Sequence, residues 1–276
     1  MNVLSKEKQD IVIGALPEGT TIRSVERLSG IHRDTIMRLG VRVGQSCAKI
    51  LDEKMRDLNC ERIEVDELWG FIGKKKYYAS HADRAQGLGD VWTFLSIDPV
   101  TKLMPSYLVG QRDRYHAVAF MEDLASRLNN RIQLSSDAMT AYADAVEMAF
   151  GADIDYAQIV KEYSSPSAEE QRRYTPATLS AVYKSAIVGA PNPDLVCTSY
   201  IERANLTMRT HCKRLARLTL AFSKKLQNFK AAVALHLAYY NFVKTDRTLR
   251  CTPAMAAGIE SSHWTIGNLV DCRLRI

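Results

Sequence analysis

One acidic residue, Glu202, lies in an otherwise basic segment in the last third of the chain. The segment reads Ile-Glu-Arg-Ala-Asn-Leu-Thr-Met-Arg over residues 201–209. It continues as a basic run through Lys213, Arg214 and Arg217, for which we predict a continued helix. Helical spacing stacks four polar side chains on one face: Glu202, Asn205, Arg209 and Lys213. A carboxylate is poorly placed there unless a divalent ion offsets it, so the pattern favours a metal-dependent enzyme that acts on a phosphate backbone.

Two further carboxylates lie in or at the end of predicted strands. Asp66 lies within a strand predicted over 62–72, and Asp137 follows a strand predicted over 132–136. The predicted order β-β-β-α-β-α-β-α is that of an α/β, ribonuclease-H-like mixed sheet flanked by helices. If the first and fourth strands are neighbours, Asp66, Asp137 and Glu202 converge.

Clustered carboxylates repel one another, and burying them is costly without bound cations. Oxygen-only ligands favour Mg²⁺ or Mn²⁺, and two such ions stabilise the attacking and leaving oxygens of an in-line phosphoryl displacement. Three other acids compete for these roles: Glu67, Asp83 and Asp98. The chain has no Gly-x-Ser-x-Gly elbow and no His-Glu-x-x-His motif, so the carboxylates are its main candidates for chemistry.

Three short helices are predicted at the N-terminus, with Gly30 in the turn before the third. This arrangement is typical of a small all-α helix-turn-helix domain, whose last helix enters the major groove of DNA. The expected readers are His32, Arg33, Asp34, Thr35 and Arg38. A helical bundle without DNA contact is the alternative. An amphipathic connecting helix is predicted over 43–58, and it either packs on its own domain or pairs with a second copy.

The charge of the chain is concentrated near its C-terminal end. The formal net charge is +6, yet from Arg203 to Arg250 eleven cations face a single acid, Asp246. Such a segment favours binding to nucleic acid over a merely solvated surface. The expected DNA contacts here are Arg203, Asn205, Arg209, Lys213, Arg214, Arg217, Lys224 and Lys225. No apolar run is long enough for a membrane span, and we expect a cytoplasmic protein with six reduced cysteines.

The segments that carry these residues resemble the DDE transposases of the insertion-sequence-one family. They are Val65-Asp-Glu-Leu-Trp-Gly-Phe-Ile-Gly-Lys74, Ser136-Asp137 with Tyr142 nearby, and the Ile201–Arg209 helix followed by residues 213–217 and 222–224. The resemblance covers most of residues 60–245. It implies that Asp66, Asp137 and Glu202 are the catalytic, metal-binding triad, and that Arg209 contacts DNA.

The resemblance implies a DNA transposase that binds terminal inverted repeats, then cleaves and transfers strands with two Mg²⁺ or Mn²⁺ ions. Its partners would be double-stranded DNA, as element ends and target, and at least a second copy of the chain, with nucleoid association on DNA. A non-catalytic DNA-binding regulator and a ribonuclease-H-like nuclease are the alternatives. We divide the chain into a helix-turn-helix domain with its connecting helix (1–60), a catalytic domain (61–245, with an insertion at about 164–197) and a tail (246–276).

Overall fold

The computed structural model describes residues 4–164 and 178–272. Within these ranges the helices are α1 (Lys6–Ala15), α2 (Ile22–Ser29), α3 (Arg33–Lys54), α4 (His81–Ala85), α5 (Arg114–Ala125), α6 (Thr140–Phe150), α7 (Ser199–His211), α8 (Leu226–Ala238), α9 (Pro253–Ala256) and α10 (Ile266–Asp271). The strands are β1 (Arg62–Ile72), β2 (Gly89–Ile97), β3 (Tyr107–Gly110), β4 (Gln133–Asp137), β5 (Asp155–Tyr163) and β6 (Leu179–Val188). None of the described helices has both the length and the apolar character needed to cross a membrane.

The sheet has the order β3-β2-β1-β4-β5-β6. Strands β1 to β3 form an antiparallel meander, whereas β4 runs parallel to β1 and β5 runs parallel to β4. Helices α5 and α6 make the crossovers that parallel neighbours require. The mixed α/β sheet flanked by helices, predicted as ribonuclease-H-like, is therefore confirmed. Strand β1 also lies next to β4, and the predicted convergence of the acids depends on this pairing.

The edge strand β6 is a feature that the sequence did not predict. It pairs antiparallel with β5, and nearly all of its side chains are exposed. Because both faces of β6 are open to solvent, its sequence has no alternation of apolar and polar residues, and alternation is the signal on which a strand prediction depends. The predicted insertion at about 164–197 thus contains a strand, and its residues 165–177 lie outside the described ranges.

The N-terminal helices differ from the prediction in one respect. The third helix and the connecting helix, predicted as separate elements, form the single helix α3. Its buried residues recur at helical spacing along the whole length: Ile36, Leu39, Val43, Cys47 and Ile50. This continuous apolar stripe packs on α8, and Gly44 permits the close approach, since a Cβ there would overlap the carbonyl oxygen of Ala231. The predicted reading end therefore belongs to a long helix that packs against α8.

Helix α7 also ends earlier than predicted. It stops at His211, and Cys212 is already extended, so Lys213, Arg214 and Arg217 lie in a loop. No glycine or proline marks this end in the sequence. The chain turns because Leu215 is buried and the Arg214 guanidinium donates to the carbonyl oxygens of Ala221, at 2.9 Å, and Phe222, at 3.3 Å. Residues 212–224 are called the basic loop below.

Candidate active site

The pairing of β1 with β4 brings two of the predicted acids together. These parallel strands place Arg62 beside Gln133 and Glu64 beside Ser135. Two residues further along the same register lie Asp66 and Asp137, the latter being the last residue of β4. Carboxylate oxygens of Asp66, Glu67 and Asp137 all lie within 4.8 Å of one another. Acids separated by about 70 positions in the sequence thus form one cluster.

Asp66 has the surroundings of a carboxylate that needs a cation. Its Oδ2 accepts a hydrogen bond from Asn205 Nδ2 at 2.6 Å, and its Oδ1 accepts one from the backbone N–H of Glu67 at 2.8 Å. Burial, followed by the charges of Glu67, Asp137 and Glu202, raises the pKa of Asp66 to about 7. Among the ion pairs of the described residues, none involves Asp66.

Glu67 differs from Asp66 because its charge is compensated. Its side chain is 3% exposed, and it forms an ion pair with Arg112 and accepts a hydrogen bond from the Tyr142 hydroxyl at 3.0 Å. Burial and the nearby Asp137 still raise the pKa of Glu67. Arg112 Nη2 lies 3.9 Å from Asp137 Oδ2, so one guanidinium faces both acids. Glu67 therefore supports the cluster from the side of α6, where Tyr142 lies.

Glu202 lies in the first turn of α7, near the cluster but outside its 4.8 Å group. The Thr198 hydroxyl donates to Glu202 Oε1 at 2.9 Å, and Lys161 of β5 forms an ion pair with the same oxygen. The charge of Glu202 contributes to the raised pKa of Asp66. Asn205, one turn after Glu202 on the same face, contacts Asp66 directly. Helix α7 thus carries Glu202 close enough to Asp66 for their charges to interact.

A buried carboxylate of β1 holds the start of α7. Glu64 Oε2 accepts hydrogen bonds from the backbone N–H groups of Tyr200, at 2.8 Å, and Ile201, at 3.0 Å. These are two of the donors that a helix N-terminus leaves without partners, and a negative charge is favourable there. Thr198, at the N-cap position, makes no such bond. Glu64 therefore fixes the helix that carries Glu202 to the strand that carries Asp66.

We predict that Glu64→Ala lowers both stability and any reaction at the site. The change leaves the part-buried N–H of Tyr200 and the buried N–H of Ile201 without partners, which lowers the free energy of unfolding by about 1–3 kcal/mol. Glu64→Gln should retain most of the stability because an amide oxygen still accepts. Chemical denaturation of both variants checks this, and equal stability of Glu64→Ala and wild type would contradict it.

The donor set of the cluster fits a hard divalent cation. The candidate ligands are carboxylate oxygens, which Mg²⁺ and Mn²⁺ prefer. Within the described residues, Asn205 Oδ1 is buried beside Asp66 and has no hydrogen-bond partner. A bound cation would offset the raised pKa of Asp66, and the cation or one of its water ligands would give the Asn205 oxygen a partner.

Two competing acids have local structural roles instead. Asp83 caps the short helix α4 through Ser80 and pairs with Lys74 at 2.9 Å. Asp98 is buried in the β2–β3 turn, where it accepts from Val100 N at 2.8 Å and Thr101 Oγ1 at 2.6 Å. Neither belongs to the acidic cluster of the described residues.

The residues predicted to contact DNA fall into two groups. At the start of α3, His32, Arg33 and Arg38 are exposed, Thr35 is half-buried, and His32 caps the helix. In the second group, Arg203, Arg217, Lys224 and Lys225 are exposed and Lys213 is half-buried. Asn205, Arg209 and Arg214 lie deeper: Asn205 contacts Asp66, Arg209 approaches the carbonyl oxygens of Trp69 and Leu215 at 3.4 Å, and Arg214 holds the basic loop.

A groove of about 650 Å³ is lined by residues of both groups. Its cations are Arg23, Arg33, Lys213, Arg214 and Lys224, and Leu220 also lines it, among mostly apolar residues. We call it the basic groove after these cations. The predicted reading end of α3 and the basic loop thus border one groove.

Residues 192–243 match the family model described as IS1 transposase. The resemblance inferred from the residues is confirmed over this segment. The matched IS1 transposase segment includes Glu202, Asn205, Arg209 and the basic loop, whereas Asp66 and Asp137 precede it. No curated protein matches the chain.

Among solved structures, the chain is similar to piggyBac transposase in a cryo-EM synaptic complex with hairpin DNA. The TM-score is 0.45 and the identity 10%, over 98% of this chain and 70% of that chain. The strand order, rather than this likeness, defines the fold.

Several residues of the site could not be found from the sequence. Glu64 and Lys161 are single charged residues in strands, a pattern that usually marks an exposed face. Arg112 lies in the connection to α5, and nothing near it in the sequence relates it to Glu67. Their roles depend on which strands and helices become neighbours, and this is a property of the fold.

Proposed function

We propose that the protein is a DNA transposase of an insertion sequence, which cleaves and joins DNA strands at Asp66, Asp137 and Glu202. The observation that carries the proposal is the clustering of Asp66 with Asp137 on neighbouring parallel strands, and the charge of Glu202 on α7 also acts on Asp66. The match of residues 192–243 to IS1 transposases supports it.

Asp66, Asp137 and Glu202 would hold the divalent ions, and Glu67 would keep its pairing with Arg112. Bound in pairs, such ions activate the attacking oxygen and stabilise the leaving oxygen of a phosphoryl transfer. The long side chain of Lys161 can leave Glu202 at little cost, because its amine is the end of a flexible chain. Asn205 orients the Asp66 carboxylate through its amide, and Glu64 fixes the start of α7.

The charges around the site suit a DNA backbone. The basic loop has four cations and no acid among residues 212–224. These are Lys213, Arg214, Arg217 and Lys224. We assign phosphate contacts to the basic loop and to Arg203, Arg209 and Lys225. The helices of residues 1–60 would read the terminal repeats through His32, Arg33, Thr35 and Arg38.

The reaction would proceed in two displacements. Water first attacks the phosphodiester at the element end and releases a 3′ hydroxyl. That hydroxyl then attacks a phosphodiester of target DNA at the same acids. Because two element ends must be joined to one target, at least a dimer on DNA is expected, associated with the nucleoid.

The test is an oligonucleotide assay with the full chain, Mg²⁺ and a labelled duplex taken from the DNA that flanks the coding sequence. Plasmid DNA serves as target. The proposal expects both nicked duplex and duplex joined to plasmid. Nicked products without joined products would indicate a nuclease. Binding without either product would indicate a non-catalytic regulator, and both results would contradict the proposal.

A further inference from the structure

Two leucines project from the basic loop into solvent. Leu218 is fully exposed and Leu220 is 93% exposed. A single exposed leucine is common in proteins and needs no explanation. Here, however, two lie close together at the tip of a loop that is otherwise polar and basic.

The loop holds these leucines outward by several contacts. The buried Leu215 and the hydrogen bonds of Arg214 fix its base, while Phe222 packs on Phe71 with ring centroids 4.8 Å apart. Beyond the tip, Ser223 is buried and its carbonyl accepts from Gly73 N at 2.8 Å. The tip is therefore short and anchored on both sides.

The backbone at the tip is also unusual. Leu218 has φ of 55°, in the left-handed region. This conformation is unfavourable for a residue with a bulky side chain, and such outliers concentrate at binding and functional sites. An exposed, strained leucine has no stabilising contact to explain it within the described residues.

The position of the tip indicates the partner. The base of the loop borders β1, the strand that carries Asp66, because Arg209 Nη1 lies 3.4 Å from the carbonyl oxygens of both Trp69 and Leu215. Leu220 lines the basic groove together with Arg33 and Lys224. Cations on both sides of an apolar tip suit a polyanion that also presents apolar surface, and stacked DNA bases inside a phosphate backbone meet both requirements.

We propose that Leu218 and Leu220 insert between base pairs of the bound DNA and unstack them beside the phosphodiester that is cut. This inference rests on the proposed function and adds a deformation of the substrate to it. Leucine side chains that enter between base steps unstack them and bend the duplex, and the cost is recovered by wider contact with the protein. An opened duplex would let the scissile strand approach Asp66 and Asp137.

The test compares wild type with the double variant Leu218→Gly, Leu220→Ala. Glycine accepts the positive φ at position 218, so the loop backbone is preserved. The probe is the flanking-sequence duplex, with the fluorescent base 2-aminopurine at successive positions near the cut. Wild type should raise its fluorescence at one step, because unstacking relieves quenching. The double variant should lose this rise and cleave the paired duplex at least about tenfold more slowly.

A second substrate separates unstacking from misfolding. A duplex with mismatched bases at the affected step is already open, so the double variant should cleave it at nearly the wild-type rate. Leu195→Ala, which shortens an exposed leucine that is not part of the basic loop, is the matched control and should behave as wild type.

Three results would overturn the inference. The first is a double variant that keeps the fluorescence rise and the rate on paired DNA. The second is equal slowing on paired and mismatched DNA. The third is a double variant that differs from wild type in its solution mass, measured by light scattering, but gives the same 2-aminopurine fluorescence. That result would mean that the leucines contact a second copy of the chain. If wild type itself neither binds nor cuts, the proposed function fails first and this inference with it.

Discussion

Asp66→Asn is expected to lower the rate of DNA strand cleavage by at least about 1,000-fold in Mg²⁺. Asp66 is central to the acidic cluster, with the charges of Glu67, Asp137 and Glu202 around it. Losing its charge removes a ligand of the ions that stabilise the transition state, an effect worth several kcal/mol, and each 1.4 kcal/mol is a factor of ten in rate. Single-turnover cleavage of a labelled duplex measures it.

Two further variants make this result specific. Glu67→Gln should slow cleavage much less than Asp66→Asn, because Arg112 and Tyr142 already compensate Glu67. Glu122→Gln changes an exposed acid of α5 and should cleave as wild type does. Cleavage by Asp66→Asn within tenfold of wild type would remove Asp66 from the catalytic residues.

The second large effect is on stability without metal. We expect the melting temperature of the metal-free protein to fall as the pH rises from 5 to 8, and we expect Asp66→Asn to reduce this fall. The pKa of Asp66 is about 7 in the folded chain and has an ordinary value of 3.8. Folding therefore favours the protonated carboxyl, so the stability that protonation provides is complete below about pH 4 and is lost as the pH rises through 7.

The size of this effect follows from the shift in pKa. The pKa of Asp66 is raised by about three units, and each unit is worth about 1.4 kcal/mol. Above pH 7 this shift therefore destabilises the folded chain by an amount on the order of 4 kcal/mol. At pH 8, Asp66→Asn should melt several degrees higher than wild type, roughly 5–10 °C. The raised pKa values of Glu64 and Glu67 act in the same direction.

Added Mn²⁺ should remove most of this difference in stability between the two proteins. At pH 8 the ion binds the folded wild type and raises its melting temperature, by about 2.7 kcal/mol of stability at 100 times the dissociation constant. Asp66→Asn should show little or no rise. Differential scanning calorimetry with and without Mn²⁺ measures both effects. A wild-type melting temperature that is independent of pH and of Mn²⁺ would contradict this account of the cluster.

The sequence predicted those parts of the fold whose signal is local. The apolar pattern of 62–72 predicted β1 with its observed bounds, and residues 140–150 predicted α6. The placement of Asp66 and Asp137 followed from the strand order, because parallel neighbours align the ends of their strands. Fold class could thus be inferred before any tertiary contact was known.

The parts that failed depend on contacts between distant residues. Helix α7 ends at His211 because Leu215 turns into the core and Arg214 binds loop carbonyls, and neither event has a signal in the sequence. Strand β6 exists through its pairing with β5, although both of its faces are exposed. Glu67 belongs to the cluster because Asp137, at the end of β4, lies close to both Asp66 and Glu67.

The most direct test of the central claim is a calorimetric titration of Mn²⁺ into the full chain. Wild type is expected to bind the ion saturably. Asp66→Asn and Asp137→Asn should each weaken binding by at least about 100-fold, and Glu202→Gln should weaken it as well, because each change removes a ligand. Glu122→Gln should bind as wild type does. Equal Mn²⁺ affinity in wild type and in all three site variants would contradict a shared metal centre at these carboxylates.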